Sequence, residues 1–222
     1  KKFPYRGRMK KLILFTLTAL LALALSIELP SRAFYSSQMN TYEKAIHSID
    51  SLKQSCRTSK QDPGILFARY IDQQLIPFWI GTPWDFNGTT QIPGKGYIAC
   101  GYFVTTVLRD AGVNLNRVKL AQQASETMIK SLTKMVEHYP NCSFAEFIQK
   151  IKAKGVGLSI IGLDNHTGFL YYDGKELYFI HSSYVGTGRV AKEVASSNAI
   201  LQYSNYKVVG FISRDKAFIK RW

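Results

Sequence analysis

Three residues of the 222-residue chain have types that suit nucleophilic catalysis: Cys100, His166 and His181. Cys100 stands where the glycine-rich stretch GKGYIAC meets an apolar run that predicts a helix. A helix N-terminus offers unpaired N–H groups and a partial positive charge, and both favour a thiolate over a thiol. The N–H of Cys100 itself is placed to stabilise an oxyanion beside the sulfur. The alternative is a buried structural cysteine, which is a common role for a single cysteine.

The two histidines belong to a predicted hairpin, HTGFLYYDGKELYFIHSS, which starts at His166. Asp173-Gly174 is a two-residue turn signal, and a turn there pairs His166 with His181 on one face. Two imidazoles in that relation are either packing residues or a base and the group that orients it. In the second interpretation His166 takes the thiol proton and His181 holds its far nitrogen, as in an activated nucleophile.

Two other chemistries have less support from the same residues. A zinc ion bound by Cys100, His166 and His181 would need a fourth ligand, and the sequence has no short Cys/His spacing typical of zinc sites. No Gly-x-Ser-x-Gly stretch occurs, so the sequence lacks the elbow of many serine hydrolases. We therefore expect neither a metal ion nor another cofactor.

The elements that must position these residues are predicted helices, followed along the chain by predicted strands. Apolar residues recur at helical spacing over 42–54, 62–76, 100–110 and 121–136. Ser143 and Glu146 form a capping box at the start of another helix, and 78–96 is an aromatic-rich loop. β-branched and aromatic runs predict strands within 155–163, 166–183 and 206–213. Helices followed by an antiparallel sheet indicate an α+β fold.

The ordered set of motifs resembles the NlpC-type papain-like cysteine peptidases, which cut cell-wall peptides. GTPWDFNG is similar to the family's loop before the nucleophile, IACGYFVTTVLRDAG to its nucleophile helix, and NHTGFLYYDGKELYFIHSS to its base strand and the strand that follows. The resemblance covers roughly 81–213 and implies a papain-like fold, with N-terminal helices packed on an antiparallel β-sheet. It also implies Cys100 as nucleophile, His166 as base and His181 as the orienting residue.

The same resemblance implies an exported hydrolase that cleaves an amide bond, with peptidoglycan stem peptides as the expected substrate. Ala99 and Gly101 flank the cysteine where the family commonly has an acidic residue and a serine. Trp84 replaces the family's tyrosine, so we expect substrate contacts from Trp84 and Asp85, with loop packing as the alternative. The alternative functions are a cysteine peptidase, amidase or acyltransferase on a non-wall substrate, and a catalytically silent wall-binding protein.

The first 33 residues have the pattern of a secretory signal peptide. Lys10 and Lys11 precede the uncharged run LILFTLTALLALAL, and SRA at 31–33 supplies small residues for cleavage. We expect export to the periplasm or beyond the cell, with an uncleaved membrane anchor over 12–27 as the alternative. Residues 34–222 then form one catalytic domain, with a helical extension over 34–77 and a papain-like core over 78–222.

The formal net charge is +14, and residues 1–33 hold seven Lys/Arg and one Glu, which leaves +8 for the remainder. A basic exported protein suits contact with anionic polymers. Scattered basic residues without a recognisable module argue against a nucleic-acid partner. Three cysteines follow residue 33, so a Cys56–Cys142 disulfide would leave Cys100 free, and three unpaired cysteines are the alternative.

Overall fold

The computed structural model describes residues 32–186 and 188–222. The chain divides into two units, Lys1–Gln38 and Met39–Trp222, and the account below concerns the second. The predicted signal peptide or anchor lies outside the described residues, except for its last two residues, which begin a helix. Within the described part, no helix combines the length and the apolar character that crossing a membrane requires.

Helices form most of the first half of the described chain. They are α1 (Arg32–His47), α2 (Ile49–Thr58), α3 (Pro63–Tyr70), a π-helical turn (Ile71–Leu75), α4 (Ile76–Trp79), α5 (Cys100–Asp110), α6 (Arg117–Ala121) and α7 (Ser125–Leu132). The second half contains α8 (Phe144–Ala153), a 3₁₀ turn (Ala195–Ser197), α9 (Ala199–Tyr203) and α10 (Lys216–Arg221). Helix α5 has the predicted bounds, and the Ser143–Glu146 capping box of α8 is present with both of its hydrogen bonds.

The strands among the described residues belong to one six-stranded sheet. They are β1 (Val136–His138), β2 (Gly157–Leu163), β3 (Thr167–Tyr172), β4 (Leu177–Ser182), β5 (Val190–Val194) and β6 (Lys207–Gly210). The spatial order is β1-β6-β2-β3-β4-β5, and every neighbouring pair is antiparallel. The predicted α+β class is therefore confirmed.

Apolar side chains cover both faces of the sheet, because successive residues of a strand point to opposite sides. Ile160 and Phe169 belong to a core shared with the helices that precede the sheet in the chain, α5 and α7 among them. Leu170 and Phe179 belong to a second core with Phe147 of α8. The sheet thus lies between two helical layers, of which the sequence analysis anticipated only the N-terminal one.

The turn between β3 and β4 is four residues long and starts at Asp173, so the predicted two-residue turn is wrong. The Asp173 carboxylate accepts hydrogen bonds from the N–H groups two and three residues later, at 2.7 and 2.8 Å, and thereby closes the longer turn. Tyr172 now pairs with Leu177, a register two residues away from the predicted one. His166, which was predicted to start the first strand, lies one residue before β3. A shift of two still leaves it on the same side as His181, because side chains alternate with a period of two.

All three cysteines are unpaired, which is the second of the two alternatives and excludes the Cys56–Cys142 disulfide. Cys56 lies in α2, whose Ile49 belongs to the core on one face of the sheet. Cys142 packs against the core that contains Phe147 on the other face. The two cysteines belong to segments that pack on different cores, whereas a disulfide requires their Cβ atoms to lie about 4 Å apart.

Candidate active site

Cys100 is the first residue of α5, and hydrogen bonds on its N-terminal side fix the start of that helix. The N–H of Ala99 donates to the carbonyl oxygen of Gly88 at 2.8 Å. The hydroxyl of Ser182, at the end of β4, donates to the carbonyl oxygen of Ile98 at 2.7 Å. The loop before the nucleophile candidate is therefore tied both to itself and to the sheet.

A cleft of about 510 Å³ has Cys100 and His166 in its wall. The other lining residues come from the segment 121–128, from the connection between β2 and β3, and from Tyr206. Gly101 allows this arrangement, because a Cβ at that position would lie 2.5 Å from the carbonyl oxygen of Ala121. The close approach of α5 to that backbone brings the 121–128 segment beside the cysteine.

His166 and His181 are the first two members of a hydrogen-bonded chain. The Nε2 atom of His166 lies 2.8 Å from Nδ1 of His181, and Nε2 of His181 lies 2.9 Å from Oε2 of Glu193. Asn198 Nδ2 donates to the same carboxylate oxygen at 2.8 Å. His166 is 4% exposed and His181 is 0% exposed. The series of hydrogen bonds therefore leads from the wall of the cleft through the protein interior to Glu193.

The Glu193 carboxylate determines which nitrogens carry protons along this chain. A carboxylate that already accepts from Asn198 also accepts from His181, so the proton of a neutral His181 sits on Nε2. Its Nδ1 is then an acceptor, and Nε2–H of His166 must donate to it. The remaining nitrogen, Nδ1 of His166, is left with a free lone pair, and it is buried without a hydrogen-bond partner among the described residues. A lone pair in that position can act as a base.

Packing holds the His181 ring in the orientation that its hydrogen bonds to His166 and Glu193 require. The ring of Phe179 stacks on it with centroids 4.0 Å apart and planes inclined by 15°. On strand β3, a Cβ at Gly168 would lie 2.7 Å from the Phe179 ring and 2.8 Å from Cβ of His181. Glycine is needed there because no side chain fits under the two rings.

Burial lowers the pKa of both imidazoles well below the usual range of histidine, and interaction with His181 lowers that of His166 further. Both rings are therefore neutral at pH 7. A neutral His166 is the form that accepts a proton from a nucleophile.

Burial also raises the pKa of the Cys100 thiol, although hydrogen bonds from the backbone of Thr167, Gly101 and Cys100 itself oppose the effect. The helix start was expected to favour a thiolate, and for the free protein that expectation is wrong, since desolvation outweighs the backbone groups. The resting site contains a neutral thiol and a neutral imidazole. Proton transfer then belongs to the attack on a substrate and does not precede it.

Trp84 and Asp85, the predicted substrate-binding residues, are not among the residues that line the cleft. The Trp84 ring lies 6.0 Å from the ring of Tyr184, which in turn lies 5.2 Å from the ring of His166. Asp85 is exposed, and its carboxylate accepts the N–H of Asn87 at 2.8 Å within a turn. Tyr184, which the sequence analysis did not identify, is thus the aromatic residue that links Trp84 to the site.

The sequence analysis also missed Glu193 and Asn198. Glu193 lies in the strand sequence VAKEV, where a charged residue is typical of a solvent-facing position. Asn198 precedes a short apolar helix, and its position there indicates only a helix cap. It does have that role, since its side chain accepts the N–H of Leu201 at 3.0 Å. The link to His181 follows from the pairing of β5 with β4, which no local pattern indicates.

Within residues 32–186 and 188–222, no group of three or more His, Cys, Asp or Glu side chains is arranged to hold a metal ion. Comparison with protein-family models, curated proteins and solved structures found no match for this chain. The likeness of its motifs to the NlpC-type peptidases therefore stays a prediction. The function is argued below from the geometry of the site.

Proposed function

We propose that this chain is a cysteine hydrolase that cleaves an amide bond. Cys100 is the nucleophile, His166 the general base and His181 the residue that orients the base, with Glu193 behind it. One observation carries the proposal: His166 borders the same cleft as Cys100, its Nε2 is held by His181, and its Nδ1 is buried without a partner. Leaving a buried nitrogen without a hydrogen bond costs stability, so its presence calls for an explanation, and a catalytic role is one.

The proposed reaction begins with attack of the Cys100 sulfur on the carbonyl carbon of the amide while Nδ1 of His166 takes the thiol proton. The resulting imidazolium is stabilised through His181 by the Glu193 carboxylate. The C–N bond then breaks, and the leaving amine receives the proton from His166, which leaves a thioester on Cys100. Water attacks the thioester as Nδ1 removes its proton, and the products are a carboxylic acid and the free thiol.

Peptide amides are the substrate class that we propose, and peptidoglycan stem peptides are the first to test because of the motif resemblance. The papain-like core over 78–222 belongs to the same proposal. It is supported by the order of a cysteine at a helix start followed by an antiparallel sheet, with His166 one residue before β3 and His181 in β4. Export is supported by the signal-peptide pattern of residues 1–33.

The test is digestion of purified peptidoglycan by the purified protein, with the released fragments identified by mass spectrometry. Cys100→Ala should lower the rate of fragment release by at least about a thousandfold, because removal of a nucleophile eliminates the covalent route. Cys142→Ala is the matched control and should retain wild-type activity, since Cys142 lies outside the cleft. Release of the same fragments by Cys100→Ala at the wild-type rate would contradict the mechanism.

A catalytically silent wall-binding protein is the second candidate, and the raised pKa of the Cys100 thiol favours it. A protonated, half-buried thiol reacts slowly unless a base removes its proton. This candidate predicts that intact peptidoglycan is bound without release of any fragment. It also predicts that Cys100→Ala and wild-type protein bind equally well in a sedimentation assay.

A further inference from the structure

A second cleft, larger than the one beside Cys100, is formed mainly by α2, the start of α3 and the C-terminal segment 213–222. Its volume is about 850 Å³, and it shares no lining residue with the cleft of Cys100 and His166. Six of its lining residues are cationic, and the name basic cleft refers to them below: Lys53, Arg57, Arg214, Lys216, Lys220 and Arg221. The proposed hydrolase activity has no use for this surface.

The positive charge of the basic cleft is not balanced by carboxylates among the described residues. Asp62 is the one acidic side chain among its lining residues, and it accepts the N–H of Gly64 at 2.8 Å as the cap of α3. Across the described ranges 32–186 and 188–222, none of the six cations forms an ion pair with a carboxylate within 4.0 Å. Other surface cations do form such pairs, for example Lys152 with Glu176 at 2.9 Å.

Several of these cations are nevertheless held in place. Three of them donate to backbone carbonyl oxygens at distances from 2.9 to 3.3 Å: Lys53, Arg214 and Arg221. A carbonyl oxygen restricts the side chain but carries no net charge, so it leaves the positive charge available to a ligand. Fixed and uncompensated cations that line a concave surface are the arrangement that binds a multivalent anion.

The aromatic residue of the basic cleft distinguishes between kinds of anion. The Trp222 ring packs against Phe67 with centroids 4.9 Å apart, and its Nε1–H donates to the carbonyl oxygen of Ala111 at 2.6 Å. Lys53 Nζ lies 5.4 Å from the centroid of the same ring. The indole is therefore engaged by the protein, whereas sequence-independent binding of single-stranded nucleic acid relies on aromatic rings that are free to stack on bases.

A lipid bilayer is also a poor fit. A membrane-bound surface combines basic residues with apolar side chains that insert among the lipids. Of the large exposed apolar side chains in the described part of the chain, such as Phe86, Tyr97 and Tyr203, none lines the basic cleft. A concave cleft of this volume instead suits a chain that lies within it.

We propose that the basic cleft binds a linear, phosphate-bearing polyanion without bases. Three of its six cations are arginines, whose guanidinium groups match phosphate oxygens in a bidentate manner. A chain with a negative charge on every repeat can contact several of the six cations at once. Binding then releases counterions and weakens as the salt concentration rises.

The experiment is calorimetric titration of the full-length protein with inorganic polyphosphate at two salt concentrations. The triple variant Arg57→Gln, Arg214→Gln, Lys220→Gln should bind at least about tenfold more weakly and with a smaller salt dependence. The matched control, Lys44→Gln, Lys95→Gln, Lys175→Gln, removes the same charge from exposed positions outside the cleft and should change the affinity by less than about threefold. Thermal unfolding of both triples checks that the fold is retained.

Three outcomes would overturn the proposal. Equal losses in the two triple variants would mean that net charge alone attracts the anion. Tighter binding of oligo-dT, or of phosphatidylglycerol vesicles, than of polyphosphate would assign the cleft to nucleic acid or to a membrane. Absence of polyphosphate binding at physiological ionic strength would leave the cleft without this ligand class. If the triple variant is unstable, Arg57→Gln and Lys220→Gln are titrated separately, and each should weaken binding.

Discussion

Beside Cys100 the two imidazoles are buried and hydrogen-bonded in a chain, whereas the cations of the basic cleft have no carboxylate within 4.0 Å among the described residues. Burial keeps the histidines neutral, so their contribution depends on which nitrogen is free and where it lies. The basic cleft acts through the summed charge of its six cations. One site therefore depends on where a single imidazole nitrogen lies, and the other depends on the summed positive charge of six side chains.

The largest effect is expected from removal of the proposed general base, His166. His166→Ala should reduce turnover of an amide substrate by about a hundredfold to ten-thousandfold, because the thiol loses the base that removes its proton. His47→Ala is the matched control, since His47 is exposed in α1 and distant in sequence from the proposed machinery. Steady-state rates of the two variants and the wild type provide the measurement. Unchanged turnover in His166→Ala would show that the neutral ring beside the cleft has no part in the reaction.

A smaller effect is expected at the far end of the hydrogen-bonded chain. Glu193→Gln keeps the shape of the side chain, but an amide can donate as well as accept, so His181 loses the carboxylate that holds its proton on Nε2. We expect a drop of about tenfold to a hundredfold in kcat with KM nearly unchanged, and a shifted pH profile. Glu43→Gln on the surface of α1 is the control. A change in KM alone would indicate a substrate contact in place of a positioning role.

The smallest effect concerns stability in acid. The pKa of each imidazole is lower in the folded protein than in the unfolded chain, so the unfolded chain binds more protons between about pH 3 and pH 6.5. Stability from this source is complete above pH 6.5 and is lost as the pH falls, by up to about 2 kcal/mol per imidazole at pH 5. Urea unfolding of the wild type and of His166→Gln/His181→Gln measures it. The double variant should show a flatter profile in this window, and identical slopes would contradict the assignment.

The basic cleft should respond to the salt concentration, whereas the stability contribution of the two histidines responds to pH. Polyphosphate binding there should depend on the salt concentration, because exposed charges carry the interaction. Salt, which screens exposed charges, should weaken that binding strongly, whereas buried pairs are screened much less. The two clefts therefore respond to different conditions, as their different burial requires.

Local sequence features predicted helix α5 and the cap of α8 correctly. Cys100 at the start of an apolar run and the Ser143–Glu146 pair depend on residues within a few positions of each other, and contacts elsewhere do not alter them. The hairpin was predicted in kind but not in detail. The Asp173 side chain closes a turn that is two residues longer than predicted, which shifts the register by two residues. Because two is an even number, the histidines still share one face.

The sequence by itself determined the helix start at Cys100 and the hairpin that has His181 on its second strand and His166 directly before its first. Only the tertiary structure decided that Glu193 ends the series of hydrogen bonds, that Cys56 and Cys142 stay unpaired, and that six cations share one cleft. It also reversed the expected pKa shift of Cys100. Periodicity and capping act over a few residues, whereas desolvation and side-chain contacts depend on elements that are distant in the chain.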